Sequence, residues 1–164
     1  PGLWLLLEAR VVLSSSDGDR QVPMAEFIDD YFTTVIEPNE VLTEIRFALP
    51  PADAGFAYSK FLPRSEDDYA AVSAAALATT DSGGNITGVR LTLGSVAPAP
   101  VCVATESLIG QPADSPLIGQ VAESVRELVD PLDDVRGSAA YKTDMAVVFA
   151  RRTMQQALTN AAAK

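Results

Sequence analysis

The five residues Asp81-Ser82-Gly83-Gly84-Asn85 constrain the fold of this chain more than any other stretch. They separate two runs of strand length, 70–79 and 86–94, and adjacent glycines supply the backbone freedom that a tight hairpin needs. The first run contains Ala-Ala-Val-Ser-Ala-Ala-Ala-Leu-Ala and would be a helix by propensity alone. A strand is the better reading, because the hairpin turn follows it directly and its small side chains let a helix pack closely on a sheet. A third strand is predicted over 57–62. Helices are predicted at about 103–109, 116–129 and 138–163. In the second helix Ile118, Val121, Ala122, Val125 and Leu128 recur at helical spacing; in the third Ala140, Met145, Val148, Phe149 and Met154 roughly do, and both stripes read as core.

Upstream, 9–13 reads as a strand, Ser16-Asp17-Gly18-Asp19 as a turn and 20–22 as a return strand. Pro23 precedes a predicted short amphipathic helix over 24–32, with Phe27, Ile28, Tyr31 and Phe32 near one side. A strand over 41–49 ends at Pro50-Pro51. The boundary between two units is expected at 50–55, giving segments 1–52 and 53–164. Strands grouped first and helices last make the second unit an α+β two-layer sandwich, an antiparallel sheet of about three to four strands covered on one face by about three helices.

Composition removes several classes of function. The chain has 164 residues, 22 acidic against 12 basic, and a net charge of −10, which argues against a nucleic-acid partner. No apolar run reaches membrane-spanning length, and the stretch 3–7 is too short for a signal-peptide core. A cytoplasmic location is expected. With no histidine, Ser-His and Cys-His nucleophilic schemes are excluded for these residues. Cys102 is alone, so it forms no intrachain disulfide and reads as a small, half-buried hydrophobe. No clustered cysteines suggest zinc or an iron–sulfur cluster, and no metal ligands or catalytic residues are assigned.

The chemistry concentrates in FAYSKFLPRSEDDYAAV, residues 56–72. Phe56, Tyr58, Lys60 and Leu62 fall on one face of the predicted strand, and Ala57, Ser59 and Phe61 on the other. A lysine among such neighbours either snorkels its ammonium to water or offers it to an anion, since an unpaired buried ammonium is costly. The following Arg64-Ser65-Glu66-Asp67-Asp68 mixes one cation with three carboxylates. By itself it reads equally as a solvated turn between strands.

These same residues resemble a segment of the flavoprotein subunit of the molybdenum hydroxylases, the family of xanthine dehydrogenase and aerobic carbon monoxide dehydrogenase. Two further stretches carry the resemblance. VRLTLGSVAPAPVCVATESLIGQP, 89–112, is similar to that family's strand, Gly-x-Val-Ala-x-x-Pro loop and following helix. DDVRGSAAYKTDMAVVFARR, 133–152, is similar to its Arg-Gly-Ser-x-x-Tyr-Lys/Arg approach to the last long helix. The family's two glycine-rich flavin-binding segments, Ala-Gly-Gly-x-Ser-Leu and Thr-Ile-Gly-Gly-x, do not occur here. The expectation is therefore a C-terminal piece of a longer flavoprotein, a remnant of the FAD-binding domain followed by the C-terminal domain.

The resemblance implies the α+β sandwich for that C-terminal domain, and a role in passing electrons from iron–sulfur clusters through FAD to an external acceptor. By residue, it implies flavin contacts for Lys60 and Leu42, and a flavin-proximal or inter-subunit position for Arg64, Glu66, Asp67 and Asp68. It implies FAD bound together with the N-terminal part of the flavin subunit. The molybdenum cofactor and the iron–sulfur clusters would sit on partners, a molybdopterin large subunit and an iron–sulfur small subunit. On this reading the chain is not catalytic alone. The alternative is a non-catalytic docking domain of the same complex.

Overall fold

The computed structural model describes residues 1–62 and 69–164. The expected hairpin is present. Strands β7 (Val72–Thr80) and β8 (Ile86–Gly94) pair antiparallel across it. The carboxylate of Asp81 accepts from the Gly83 and Asn85 backbone N–H groups at 2.9 and 2.8 Å, and Gly84 takes the positive φ of 79° that closes the turn.

Strand β6 (Gly55–Phe61) pairs with β7, and β9 (Val101–Val103) with β8, giving a four-stranded antiparallel sheet in the order β6-β7-β8-β9. The helix expected over 103–109 is replaced by β9 and a single 3-10 turn, Glu106–Leu108. Two residues of β9, Val101 and Val103, are β-branched and continue the ladder opposite Leu93 and Leu91. Thr105 then turns the chain by donating to the Val89 carbonyl at 2.6 Å. Helix coverage is correspondingly smaller than expected, from α3 (Leu117–Ser124) and the long α4 (Ala139–Ala162).

Helix α4 runs along one sheet face, where Ala57, Ala74, Ala76, Ala78, Leu91 and Leu93 meet Ala146, Ala150, Met154, Ala157 and Leu158 in the main core. The alanine run lets the helix sit close. At Gly55 a Cβ would lie 2.1 Å from the Ala157 carbonyl oxygen and 2.2 Å from the Ala161 nitrogen, so only glycine fits there. Ser138 caps α4 by accepting from the Tyr141 N–H at 3.2 Å.

The first unit is smaller. Strands β1 (Arg10–Ser15), β2 (Gly18–Pro23) and β5 (Val41–Arg46) form a sheet in the order β2-β1-β5, over a second core that includes Ala9, Val11, Leu13, Met24 and Phe27. The helix expected over 24–32 stops early, as α2 (Met24–Phe27), and the chain continues as β3 (Ile28–Asp30) and β4 (Thr33–Thr34). Asp29 and Asp30 would have stood at the negative end of that helix. Instead Asp30 accepts from the Tyr31 N–H at 2.7 Å and the Val35 N–H pairs with the Phe27 carbonyl at 3.1 Å. A short helix α1 (Gly2–Leu6), which periodicity does not reveal, joins the units: Leu5 enters the core of the first unit, while Leu6 packs on Ala54, Ala75 and Leu77 of the second unit.

Candidate functional site: the open face of the sheet

The face of the four-stranded sheet away from α4 is only partly covered. Its cross-strand rows follow from the register: Phe56-Leu77-Arg90, then Tyr58-Ala75-Thr92-Cys102, then Lys60-Ser73-Gly94. Helix α1 and the turn after it close the first row, through Leu6 of the helix and an ion pair of Glu8 with Arg90 at 2.7 Å. It is anchored to the second row where Thr92 donates to the Gly2 carbonyl at 2.9 Å. Beyond that point the face opens into a cleft of about 810 Å³.

Small residues make the floor of this cleft. Ser73, Ala75 and Gly94 lie in adjacent strands, and a Cβ on Gly94 would meet Ser73 Oγ at 2.8 Å while standing over that floor. The rim is aromatic, with Phe56, Tyr58 and Tyr69 from the second unit and Tyr31 and Phe32 from the first. Phe32 is fully exposed and holds a left-handed φ of 55°, an uncommon arrangement for a large side chain. The loop after β8 supplies another wall through Ser95, Ala97, Pro98, Ala99 and Pro100. Ser95 is left-handed at φ 67°, and buried Val96 accepts from the Asp130 N–H at 2.9 Å, which fixes the loop.

Lys60 lines the cleft and is its sole charged side chain among the described residues. The expected alternation of β6 holds: Phe56, Tyr58 and Lys60 face the cleft, while Ala57 and Phe61 face the core and Ser59 accepts from Thr153 of α4 at 2.8 Å. Leu42 lies elsewhere, on the edge strand β5 opposite Leu13, packed against the first core and outside the cleft lining. Arg64, Glu66, Asp67 and Asp68 fall outside the described residues. Cys102, expected to be half-buried, is exposed on β9.

The approach to α4 touches this cleft at one rim residue, Tyr69. The Arg136 guanidinium lies over the Tyr69 ring, 5.8 Å from its centroid. Tyr141 lies 6.2 Å from Phe61, which stacks on Phe149 at 4.9 Å. Lys142, almost fully buried, pairs with Asp134 at 2.8 Å and donates to the Leu132 carbonyl at 2.6 Å. This ammonium, helped by the Arg136 N–H, holds the Asp134 carboxyl below the usual carboxylate range. Tyr31, Phe32, Tyr69, Ser73 and Gly94 join the site only through the tertiary structure. The Gly94–Pro100 loop and Tyr69 belong to two of the three motif-bearing stretches, and Arg136 of the third meets Tyr69 at the rim.

A flat floor, aromatic edges and one cation suit a planar ring that carries or acquires negative charge. They do not suit a pyrophosphate. The glycines with positive φ, Gly18, Gly84, Gly110 and Gly137, all lie outside the cleft lining, so among the described residues no glycine loop offers it a cluster of backbone donors. The residues present therefore fit the ring portion of a flavin nucleotide and not its phosphates. Among the described residues no helix is long and apolar enough to cross a membrane, and no group of side chains is arranged to hold a metal ion.

Fold and cleft together define an α+β module with an open, small-residue cleft on its partly covered sheet face. Residues 57–157 match the CO dehydrogenase flavoprotein C-terminal domain, and residues 1–50 match the FAD binding domain in molybdopterin dehydrogenase. The chain belongs to this flavoprotein family of the molybdenum hydroxylases. It is 36% identical to the carbon monoxide dehydrogenase medium chain of Afipia carboxidovorans, over 98% of this chain and 56% of that one. The 6-hydroxypseudooxynicotine dehydrogenase complex subunit alpha of Paenarthrobacter nicotinovorans is 32% identical over 98% of this chain and 55% of its own length. A crystal structure of the Cu,Mo-CO dehydrogenase in its cyanide-inactivated form superposes with a TM-score of 0.91 at 34% identity, covering 98% of this chain and 56% of that chain. The chain thus spans about half the length of the curated relatives it matches.

Proposed function

We propose that this chain forms one wall of an FAD site in a molybdenum hydroxylase, with residues 1–52 as the end of the FAD-binding domain and 53–164 as the C-terminal domain. The observation that carries the reading is Lys60, without a hydrogen-bond or ion-pair partner among the described residues, at the margin of a small-residue floor rimmed by aromatic rings. When bound, FAD supplies electron transfer between iron–sulfur clusters and an external acceptor. The chain's own part is to hold the ring. Ser73, Ala75 and Gly94 leave room for a flat ligand, and Tyr58 and Tyr69 border it. The Lys60 ammonium favours whichever state of the ring carries more negative charge, which raises its reduction potential.

Leu42 is proposed as a second contact, made from the exposed edge of β5. Arg64, Glu66, Asp67 and Asp68 are proposed as flavin-proximal or interface residues, because in sequence they lie between two residues of the cleft, Lys60 and Tyr69. The phosphates would be held by residues outside this chain. A large molybdopterin subunit and a small iron–sulfur subunit complete the proposed assembly, and a cytoplasmic location goes with it.

Titration with FAD, followed by flavin fluorescence, tests this reading. The chain is mixed with FAD alone, then together with the part of the flavin subunit that the relatives have and these residues do not cover. Quenching that appears or strengthens at least tenfold on that addition, and weakens in Lys60→Ala, is the expected result. No quenching under either condition would leave a docking domain as the better account.

A further inference from the structure

We infer that the turn preceding α4 is a clasp for one edge of the cleft, in which buried Lys142 is a positioning residue that sets two aromatic residues, Tyr69 on the cleft rim and Phe61 on the core face of β6, through Arg136 and Tyr141. The consequence for ligand binding rests on the flavin reading above; the clasp itself does not.

The two gripped residues flank the acidic segment in sequence, Phe61 before it and Tyr69 after it, and the Ala71 N–H pairs with the Phe61 carbonyl at 3.0 Å. Tyr69 is 82% exposed, so burial contributes little to fixing its ring. The Arg136 guanidinium stands over it instead, an interaction that favours a cation over an aromatic face. Phe61 is wedged between Tyr141 and Phe149. One short turn therefore contacts both flanks.

That turn is fixed by an unusual amount of polar structure. Asp134 accepts from the Arg136 N–H at 2.7 Å and pairs with its guanidinium at 3.2 Å, and Asp134 and Gly137 exchange two backbone hydrogen bonds of 3.1 Å. Gly137 takes a φ of 146°, and a Cβ there would come within 2.7 Å of the Tyr141 ring, so glycine is needed for the ring to occupy its place beside Phe61. Everything converges on Lys142, whose ammonium binds both the Asp134 carboxylate and the Leu132 carbonyl from a site 4% exposed. A buried ammonium is tolerated only with such partners.

Amide hydrogen exchange on the whole ligand-free chain tests the clasp. In Arg136→Met, exchange at Tyr69–Ala71 should rise about tenfold while the β8 amides stay as in wild type. Tyr141→Leu should produce the same rise on the Phe61 side alone. Lys142→Met should raise both flanks, and Lys142→Arg should restore them. Unchanged flanks in a folded Lys142→Met variant, or a uniform rise across β6 to β8, would overturn the proposal. Should Lys142→Met not fold, the side-selective responses of the other two variants decide, and their absence refutes the clasp. Binding of riboflavin, a ring without pyrophosphate, separates the two ideas. Selective exchange without riboflavin or FAD binding leaves the clasp standing and removes the flavin reading.

Discussion

The two faces of the same four-stranded sheet have opposite characters. Under α4, Ala74, Ala76 and Leu91 are buried to the last few per cent, and helix backbone lies so close to Gly55 that a methyl group has no room. On the other face the same strands present Ser73, Ala75 and Gly94, a lysine and exposed aromatic rings. Alternation along each strand separates the two sets by a single residue. One face therefore carries most of the buried core, and the part of the other that α1 leaves open is free to carry a site.

Substitutions should break this division asymmetrically. Gly55→Val has the largest expected effect, because its Cβ would meet the Ala157 and Ala161 backbone and force α4 off the sheet; about 3 kcal/mol or more should be lost in denaturant unfolding. Met154→Ala, a fully buried side chain on the helix side, should cost about 2–4 kcal/mol through the cavity it leaves. A smaller loss at either position would mean that the two layers are less tightly coupled than their spacing indicates.

On the open face the order reverses. Gly94→Val should change stability by about 1 kcal/mol or less, since the atom it meets is the end of the Ser73 side chain, yet it should abolish ring binding by occupying the floor. Lys60→Ala should alter stability by no more than about 0.5 kcal/mol while weakening flavin binding and lowering its reduction potential in the assembled flavoprotein. Unaltered binding in both variants would take the site away from this face.

The smallest effect concerns the first unit, which supplies Tyr31 and Phe32 to the rim. Glu40, clamped by Arg20 through contacts of 2.6 and 2.8 Å and by the Glu37 N–H, has its carboxyl lowered from an ordinary 4.5 to about 2. A carboxyl with a lower value in the folded state contributes stability above its unfolded value, and that contribution disappears as pH falls from about 4.5 toward about 2. The difference in unfolding midpoint between wild type and Arg20→Met should therefore shrink across this window. A difference independent of pH would show that the pair contributes through packing alone.

Much of this was legible in the residues. The hairpin at Asp81–Asn85 and the strand character of the alanine run followed from turn chemistry, because a turn residue acts on its immediate neighbours. The long final helix followed from periodicity, and the structure adds its Ser138 cap. Two stretches with helical patterning do not form the full helices. Residues 24–32 lost theirs to local pairing between Phe27 and Val35, and 103–109 lost theirs to the free edge of β8, neither of which composition can weigh. Lys60 was readable as an anomaly among apolar neighbours. Tyr31 and Phe32 were not, since they reach the rim only because α1 brings the two units together.

The amino-acid order by itself determined which residues alternate, where the chain turns and which side chain is chemically out of place, since these depend on contacts a few positions apart. Only the tertiary structure decided that α4 would claim one sheet face and α1 a part of the other. The cleft is the remainder of that second face, set by how far a five-residue helix extends across the sheet. No local rule sets that distance, because it depends on the packing of Leu5 and Leu6 into two separate cores at once.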